Sequence, residues 1–205
     1  MSQVLGTDQT LARLRSLLAA EGEAIAPVLS AAPGDEVVGP LVLACAAERT
    51  DGPELALVTE SILEGYLLHY GHPRLVHTDD ADLRLLAGDH LYALGLSRLA
   101  ALGDLDAVRA LADLIALCAR VQVEAGEGGP AADALGPLWV ATSLAVGAGR
   151  WPAYEQLIAE LRRGIVAGEQ LLTVVTERAA ALGIELEAQA ALIAFESAVI
   201  DRPHA

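Results

Sequence analysis

The chain has 205 residues, of which 54% are hydrophobic and only 3% aromatic, and its formal net charge is −15. Nucleic acids and anionic membrane surfaces select for lysine and arginine, so this charge argues against both as partners. All the basic residues are arginines, which excludes Schiff-base chemistry and a lysine clamp on a phosphate. A core of Leu, Ala, Val and Ile favours helices, since Ala and Leu are strong helix formers.

The sequence contains no segment that predicts secretion or membrane insertion. Its N-terminus lacks the apolar core of a signal peptide, and its longest uncharged run, residues 134–149, is shorter than the roughly 20 residues of a membrane span. Cys45 and Cys118 each lie in an apolar helical pattern, which is typical of buried thiols. We therefore expect a cytoplasmic protein without a transmembrane segment.

Helical spacing of apolar residues continues through the first half of the chain. Thr7 or Asp8 can cap a first helix, which Pro27 kinks or divides. The next helices are predicted at about residues 37–48, 53–70, 80–102 and 105–124, separated by turns rich in glycine and proline.

The second half begins with residues 125–130, the most flexible-looking loop. A buried helix at 134–149 is followed by a long helix from Pro152 to Gly183 and a last one at about 185–200. The long helix carries a heptad seam, which predicts a partner helix along its whole length; the seam consists of Tyr154, Ile158, Leu161, Ile165, Gly168, Leu172, Val175, Ala179 and Leu182. Together these elements predict an all-α bundle of about eight helices that forms a single domain, residues 1–205.

Three carboxylates, Asp79, Asp80 and Asp82, lie where the fourth predicted helix begins. Carboxylate oxygens are the ligands that Mg²⁺ prefers, so the cluster is a candidate metal–diphosphate site. Its spacing does not place all three side chains on one helical face, however, and Asp79 or Asp80 can instead cap the helix. We interpret the cluster as capping residues in a loop.

Asp89 lies inside the apolar helix that follows the cluster, between Gly88 and His90. An ionised carboxylate is costly to bury without partners, so we expect Asp89 to be hydrogen-bonded within the bundle. Gly88 and Gly95 are seven residues apart and share a face, which predicts that another helix approaches closely there.

Other kinds of chemistry find little support in the sequence. His69, His72 and His77 lie near the aspartates, but Gly71 and Pro73 break the helix that would align them, so polar loop residues are a simpler interpretation than a metal site. No Gly-x-Ser-x-Gly elbow, phosphate-binding Gly-rich loop or dinucleotide fingerprint is present.

The order of several short segments resembles the trans-isoprenyl diphosphate synthases. That family has an apolar helix, then a helix that ends in a histidine, then a helix with a Leu-x-Gly-Asp element. The matching segments are Gly39-Pro40-Leu41 through Ala47-Glu48, Leu67-Leu68-His69, Leu86-Ala87-Gly88-Asp89-His90-Leu91 and Leu102-Gly103-Asp104. The likeness spans residues 37–177 and implies a shortened isoprenoid-synthase-like bundle.

The chain departs from the family at both metal motifs. The family's chemistry needs two facing Asp-rich motifs that hold Mg²⁺. The first region is shortened here, and Leu171-Leu172-Thr173-Val174-Val175 stands where the second motif is expected. The resemblance therefore implies a small non-catalytic subunit of a heteromeric polyprenyl synthase, such as component I of heptaprenyl diphosphate synthase, which would pair with a catalytic subunit and help to set product length.

Three functional hypotheses follow. The first is this partner subunit, bound to a catalytic polyprenyl diphosphate synthase subunit or to a second copy of itself. The helices at 80–102 and 105–124 are its predicted interface because they carry more apolar surface than one bundle needs; the candidates are Leu83, Leu86, Gly88, Leu91, Gly95, Leu99, Leu111 and Leu114.

The second hypothesis is a helical scaffold or isoprenoid-binding protein that keeps the fold without the pathway. The third is a divergent prenyl diphosphate enzyme that uses Asp79, Asp80, Asp82 and Asp89. Only the third needs a cofactor, Mg²⁺.

Overall fold

The chain folds into α-helices, as the composition predicts. The computed structural model describes residues 9–21, 25–32, 34–126, 133–164 and 168–200. Within these ranges there are nine α-helices and no strand, apart from an isolated bridge between Leu29 and Val76. The helices are α1 (Gln9–Glu21), α2 (Gly39–Cys45), α3 (Gly52–Tyr70), α4 (Ala81–Leu102), α5 (Leu105–Gly126), α6 (Leu135–Ala148), α7 (Pro152–Arg162), α8 (Gly168–Leu182) and α9 (Glu185–Ile200).

Two helices, α3 and α6, form the centre of the bundle. Both are buried over most of their length, as is typical of helices that are surrounded by other helices. α3 packs against α1, α2 and α4, whereas α6 packs against α2, α5, α8 and α9. No helix among the described residues is long and apolar enough to cross a membrane.

Glycines allow α3 and α4 to approach closely. A Cβ atom on Gly95 would lie 2.9 Å from Cγ1 of Ile62, and one on Gly65 would lie 2.9 Å from the carbonyl oxygen of Gly88. A Cβ atom on Gly88 would lie 2.6 Å from Nε2 of His69. The prediction that Gly88 and Gly95 admit a neighbouring helix is therefore confirmed, and that helix is α3.

The predicted long helix from Pro152 to Gly183 is wrong. α7 ends at Arg162, and Gly164 has a φ of +75°, which no right-handed helix allows. The predicted heptad seam is also interrupted at Leu172, which is 43% exposed while Leu171 is buried, although Val175 and Ala179 of the seam are buried. Ile165 of the predicted seam lies outside the described residues. Residues 127–130 of the loop predicted at 125–130 also lie outside them.

A buried ionic network fixes the segment that follows α3. Glu60 and Glu64 lie one turn apart on α3 and are fully buried, and Arg74 bridges them with Nη1 2.7 Å from Glu60 Oε2 and Nε 3.0 Å from Glu64 Oε2. The other oxygen of Glu60 accepts the backbone N–H groups of residues 37–39 at the start of α2. The other oxygen of Glu64 accepts those of Arg74 and Leu75. These contacts bind the start of α2 and the segment after α3 to the middle of α3 in the apolar interior.

Candidate functional site

The carboxylate cluster lies at the start of α4. Oδ1 of Asp80 accepts hydrogen bonds from the backbone N–H groups of Asp82 at 3.0 Å and Leu83 at 3.1 Å. Asp80 therefore caps the helix, which confirms the capping interpretation for this residue. Asp79 and Asp82 are exposed.

Asp89 lies on the outside of α4, not inside the bundle. Its side chain is 72% exposed, and its Oδ1 is 3.3 Å from Nε2 of His69. The expectation of a buried, bundle-bonded carboxylate is therefore wrong. The reason is that Gly88 occupies the face of α4 next to α3, so that the following residue points outward.

His69 lines a surface groove between the end of α3 and the start of α4. Its ring stacks on Tyr92 with 5.5 Å between ring centroids. The groove has a volume of about 530 Å³, and its polar wall includes Tyr70, His72 and Arg84. Arg84 donates hydrogen bonds to the carbonyl groups of Leu68 and Gly71, so it caps the end of α3. No Ser, Thr or Cys nucleophile is among the described residues that line the groove.

The described residues contain no cluster of three His, Cys, Asp or Glu side chains that could hold a metal ion. In α8, where the resemblance implies a second Asp-rich motif, Leu171 and Val175 are buried in the core. Thr173 and Thr176 donate their hydroxyl groups to carbonyl oxygens of their own helix. Aliphatic side chains cannot ligate Mg²⁺, so this part of α8 offers no site for it.

Most of the predicted interface residues belong to the core of this chain. Of the eight, Leu83 is half-buried and Leu86 is 66% exposed. The other six are buried, namely Gly88, Leu91, Gly95, Leu99, Leu111 and Leu114. Because α4 and α5 are apolar on most faces, the sequence pattern could not distinguish the inward from the outward residues.

The structure instead presents a different set of residues on the outer sides of these two neighbouring helices. On α5, Leu105 and Val123 are 67% and 65% exposed, and small residues lie between them at heptad spacing. The charged residue within this row, Arg109, pairs with Asp106 on its own helix. We call this the outer face; it comprises Leu86, Ala93, Ser97 and Ala100 on α4 and Leu105, Ala112, Ala116, Ala119 and Val123 on α5.

Three of the seven aromatic residues, Tyr66, Trp139 and Phe195, form a cluster in the interior next to α3. The Tyr66 ring lies 5.5 Å from that of Trp139 on α6 and 6.1 Å from that of Phe195 on α9. Burial raises the pKa of the Tyr66 hydroxyl, which accepts a hydrogen bond from Gln122 at 2.7 Å. These rings fill the space between three helices. No local sequence pattern predicts this cluster, because its members are separated by tens of residues.

Comparison of the chain with protein-family models, with curated proteins and with solved structures finds no match.

Proposed function

We propose that this protein is a non-catalytic partner subunit of a heteromeric polyprenyl diphosphate synthase. The observation that carries the proposal is the outer face of α4 and α5, whose exposed residues are mostly Leu, Val, Ala and Ser on a chain of net charge −15, although Asp89 and Arg109 lie in the same two rows. Exposed Leu, Val, Ala and Ser side chains on two neighbouring helices, which no other described element covers, are typical of a protein–protein interface.

The resemblance in sequence supplies the identity of the partner. It spans residues 37–177, and it includes the Leu-x-Gly-Asp element whose aspartate is Asp89. The placement of the carboxylates supports a subunit without the family's own chemistry, because Asp80 caps α4 and Asp89 lies apart from it on the outer side of α4, paired with His69. Catalysis would then belong to a partner chain that carries both Asp-rich motifs.

The aromatic cluster favours this function over the isoprenoid-binding alternative. A binding protein needs an open lumen for an aliphatic chain. In the described interior, Tyr66 and Trp139 are each 1% exposed and in contact with Phe195. Side chains thus fill the space between α3, α6 and α9 in the described interior.

Purification of the tagged protein from its native cell tests the proposal. We expect a polyprenyl synthase with two Asp-rich motifs to be recovered in a stable complex. The isolated protein should release no diphosphate from allylic substrates with Mg²⁺ present, whereas adding it to the catalytic subunit should change the length of the product. Failure to associate with any prenyl synthase of that cell, or Mg²⁺-dependent turnover by the isolated chain, would contradict the proposal.

A further inference from the structure

Glu36 connects the start of α1 to the start of α2. Its Oε1 accepts the backbone N–H groups of Thr10 at 2.7 Å and Leu11 at 3.2 Å, which belong to the donors that a helix leaves unpaired in its first turn. Its Oε2 is also buried but makes no hydrogen bond within the described residues. Such an arrangement is unfavourable for an ionised carboxylate.

A second carboxylate lies next to the unpaired oxygen. A Cβ atom on Gly39 would be 3.1 Å from Glu36 Oε2 and 3.2 Å from Glu60 Oε1, so the two acidic side chains meet over one glycine. Burial raises the pKa of Glu36 above its ordinary value of 4.5, and the charge of Glu60 raises it further, against the lowering effect of the N–H groups of α1. Burial and the charge of Glu60 both favour a proton on Glu36, and together they outweigh the hydrogen bonds from α1.

Among the described residues, no cationic side chain pairs with Glu36. Arg74 is bound by Glu60 and Glu64, Arg13 by Glu54, and Arg15 by the carbonyl group of Ser30. The described charged side chains on the surrounding elements are Arg13 and Arg15 on α1, Glu54, Glu60 and Glu64 on α3, and Asp35 and Arg74 in the connecting segments. Of these described side chains, only the charge of Glu60 shifts the pKa of Glu36.

α1 covers an apolar surface of its own. Leu11, Leu14 and Leu18 form a second hydrophobic cluster, separate from the main core, with residues of α3, α4 and the segment before α4. Opening of α1 would therefore uncover Leu57 and Leu68, among others, without disrupting the main core.

We propose that Glu36 is a proton-controlled latch for α1, which holds the helix on the bundle as a carboxylic acid and releases it as a carboxylate. The neutral acid can still accept the N–H groups of Thr10 and Leu11, while its hydroxyl group faces Glu60. Loss of the proton places two like charges beside Gly39. The closed state of α1 is then fully stabilised below the ordinary glutamate value of 4.5 and weakens as the pH rises through the raised value.

Hydrogen exchange of the backbone amides in residues 9–21 tests the latch on the full chain. After correction for intrinsic exchange, the protection of α1 should fall as the pH rises from 4.5, by up to about tenfold per pH unit, and then level off. The protection of α6 should not follow this change. In Glu36→Gln, the amide oxygen can accept the same N–H groups and the NH₂ group can face Glu60, so α1 should stay protected throughout.

A matched control is Glu54→Gln, which removes the ion pair of Arg13 on the same helix. It should lower the protection of α1 at every pH and leave the slope unchanged. The latch is refuted if wild-type α1 shows protection that is independent of pH or rises with it, or if Glu36→Gln retains the wild-type slope.

Discussion

Replacing Arg74 with methionine should destabilise the fold strongly. The guanidinium group makes two charge-assisted hydrogen bonds, to Glu60 at 2.7 Å and to Glu64 at 3.0 Å, and both carboxylates are fully buried. A hydrogen bond to a charged group contributes about 1.5–3 kcal/mol, and removing one partner of a buried ion pair costs about 3–5 kcal/mol. The backbone donors to Glu60 and Glu64 remain in the variant, so we expect a loss in the free energy of unfolding of about 3–5 kcal/mol.

Urea unfolding followed by far-UV circular dichroism measures this loss. The matched variant is Arg74→Met combined with Glu60→Gln and Glu64→Gln, which carries no buried charge at this place. It should recover part of the stability at pH 7. A single variant within about 1 kcal/mol of the wild type, or a triple variant no more stable than the single one, would refute this reasoning.

Two further predictions concern packing and capping. Gly147→Ala places a Cβ atom against that of Cys45 and should lower the free energy of unfolding by about 1–3 kcal/mol, because α2 is then overpacked on α6. The control Gly136→Ala lies on the same helix and its Cβ meets the nearest atom at 3.5 Å, so it should be neutral or stabilise the fold by up to about 1 kcal/mol. A lower Tm for Gly136→Ala than for Gly147→Ala would contradict this packing. Asp80→Ala should lower stability by about 1 kcal/mol through loss of the cap, and Asp79→Ala should change it little. Millimolar Mg²⁺ should not alter the Tm of the wild type, Asp79→Ala or Asp80→Ala. A rise in the Tm of the wild type that both variants lose would indicate a metal site instead.

Much of the helical architecture could be predicted from local signals. Pro53 and Gly71 bound α3, Asp80 and Gly103 bound α4, and the structure places the helix ends within one or two residues of these positions. The close approach at Gly88 was also predictable, because small residues at helical spacing form a groove for a neighbouring helix. Each of these features depends on residues that are close together in the chain.

The features that were missed depend on contacts between residues that are distant in the chain, or on which of several similarly apolar faces of a helix points into the bundle. The pairing of Arg74 with Glu60 crosses the break after α3, and no sequence pattern identifies it. Asp89 was placed inside the bundle because α4 is apolar on most sides. The break after α7 was missed because Gly164 interrupts a heptad pattern that continues on both sides, and a single glycine is tolerated in many helices.

The most direct test of the proposed function is whether a charge on the outer face prevents assembly. Size-exclusion chromatography with light scattering would measure the mass of the chain mixed with the catalytic polyprenyl synthase subunit of the same cell. Ala116→Arg changes an exposed residue of the outer face on α5, and Ala190→Arg changes an equally small exposed residue on α9 as a control. We expect a heteromeric complex for the wild type and for Ala190→Arg. For Ala116→Arg we expect free subunits. A wild-type chain that does not associate, or an Ala116→Arg complex as stable as that of the wild type, would contradict the proposed function.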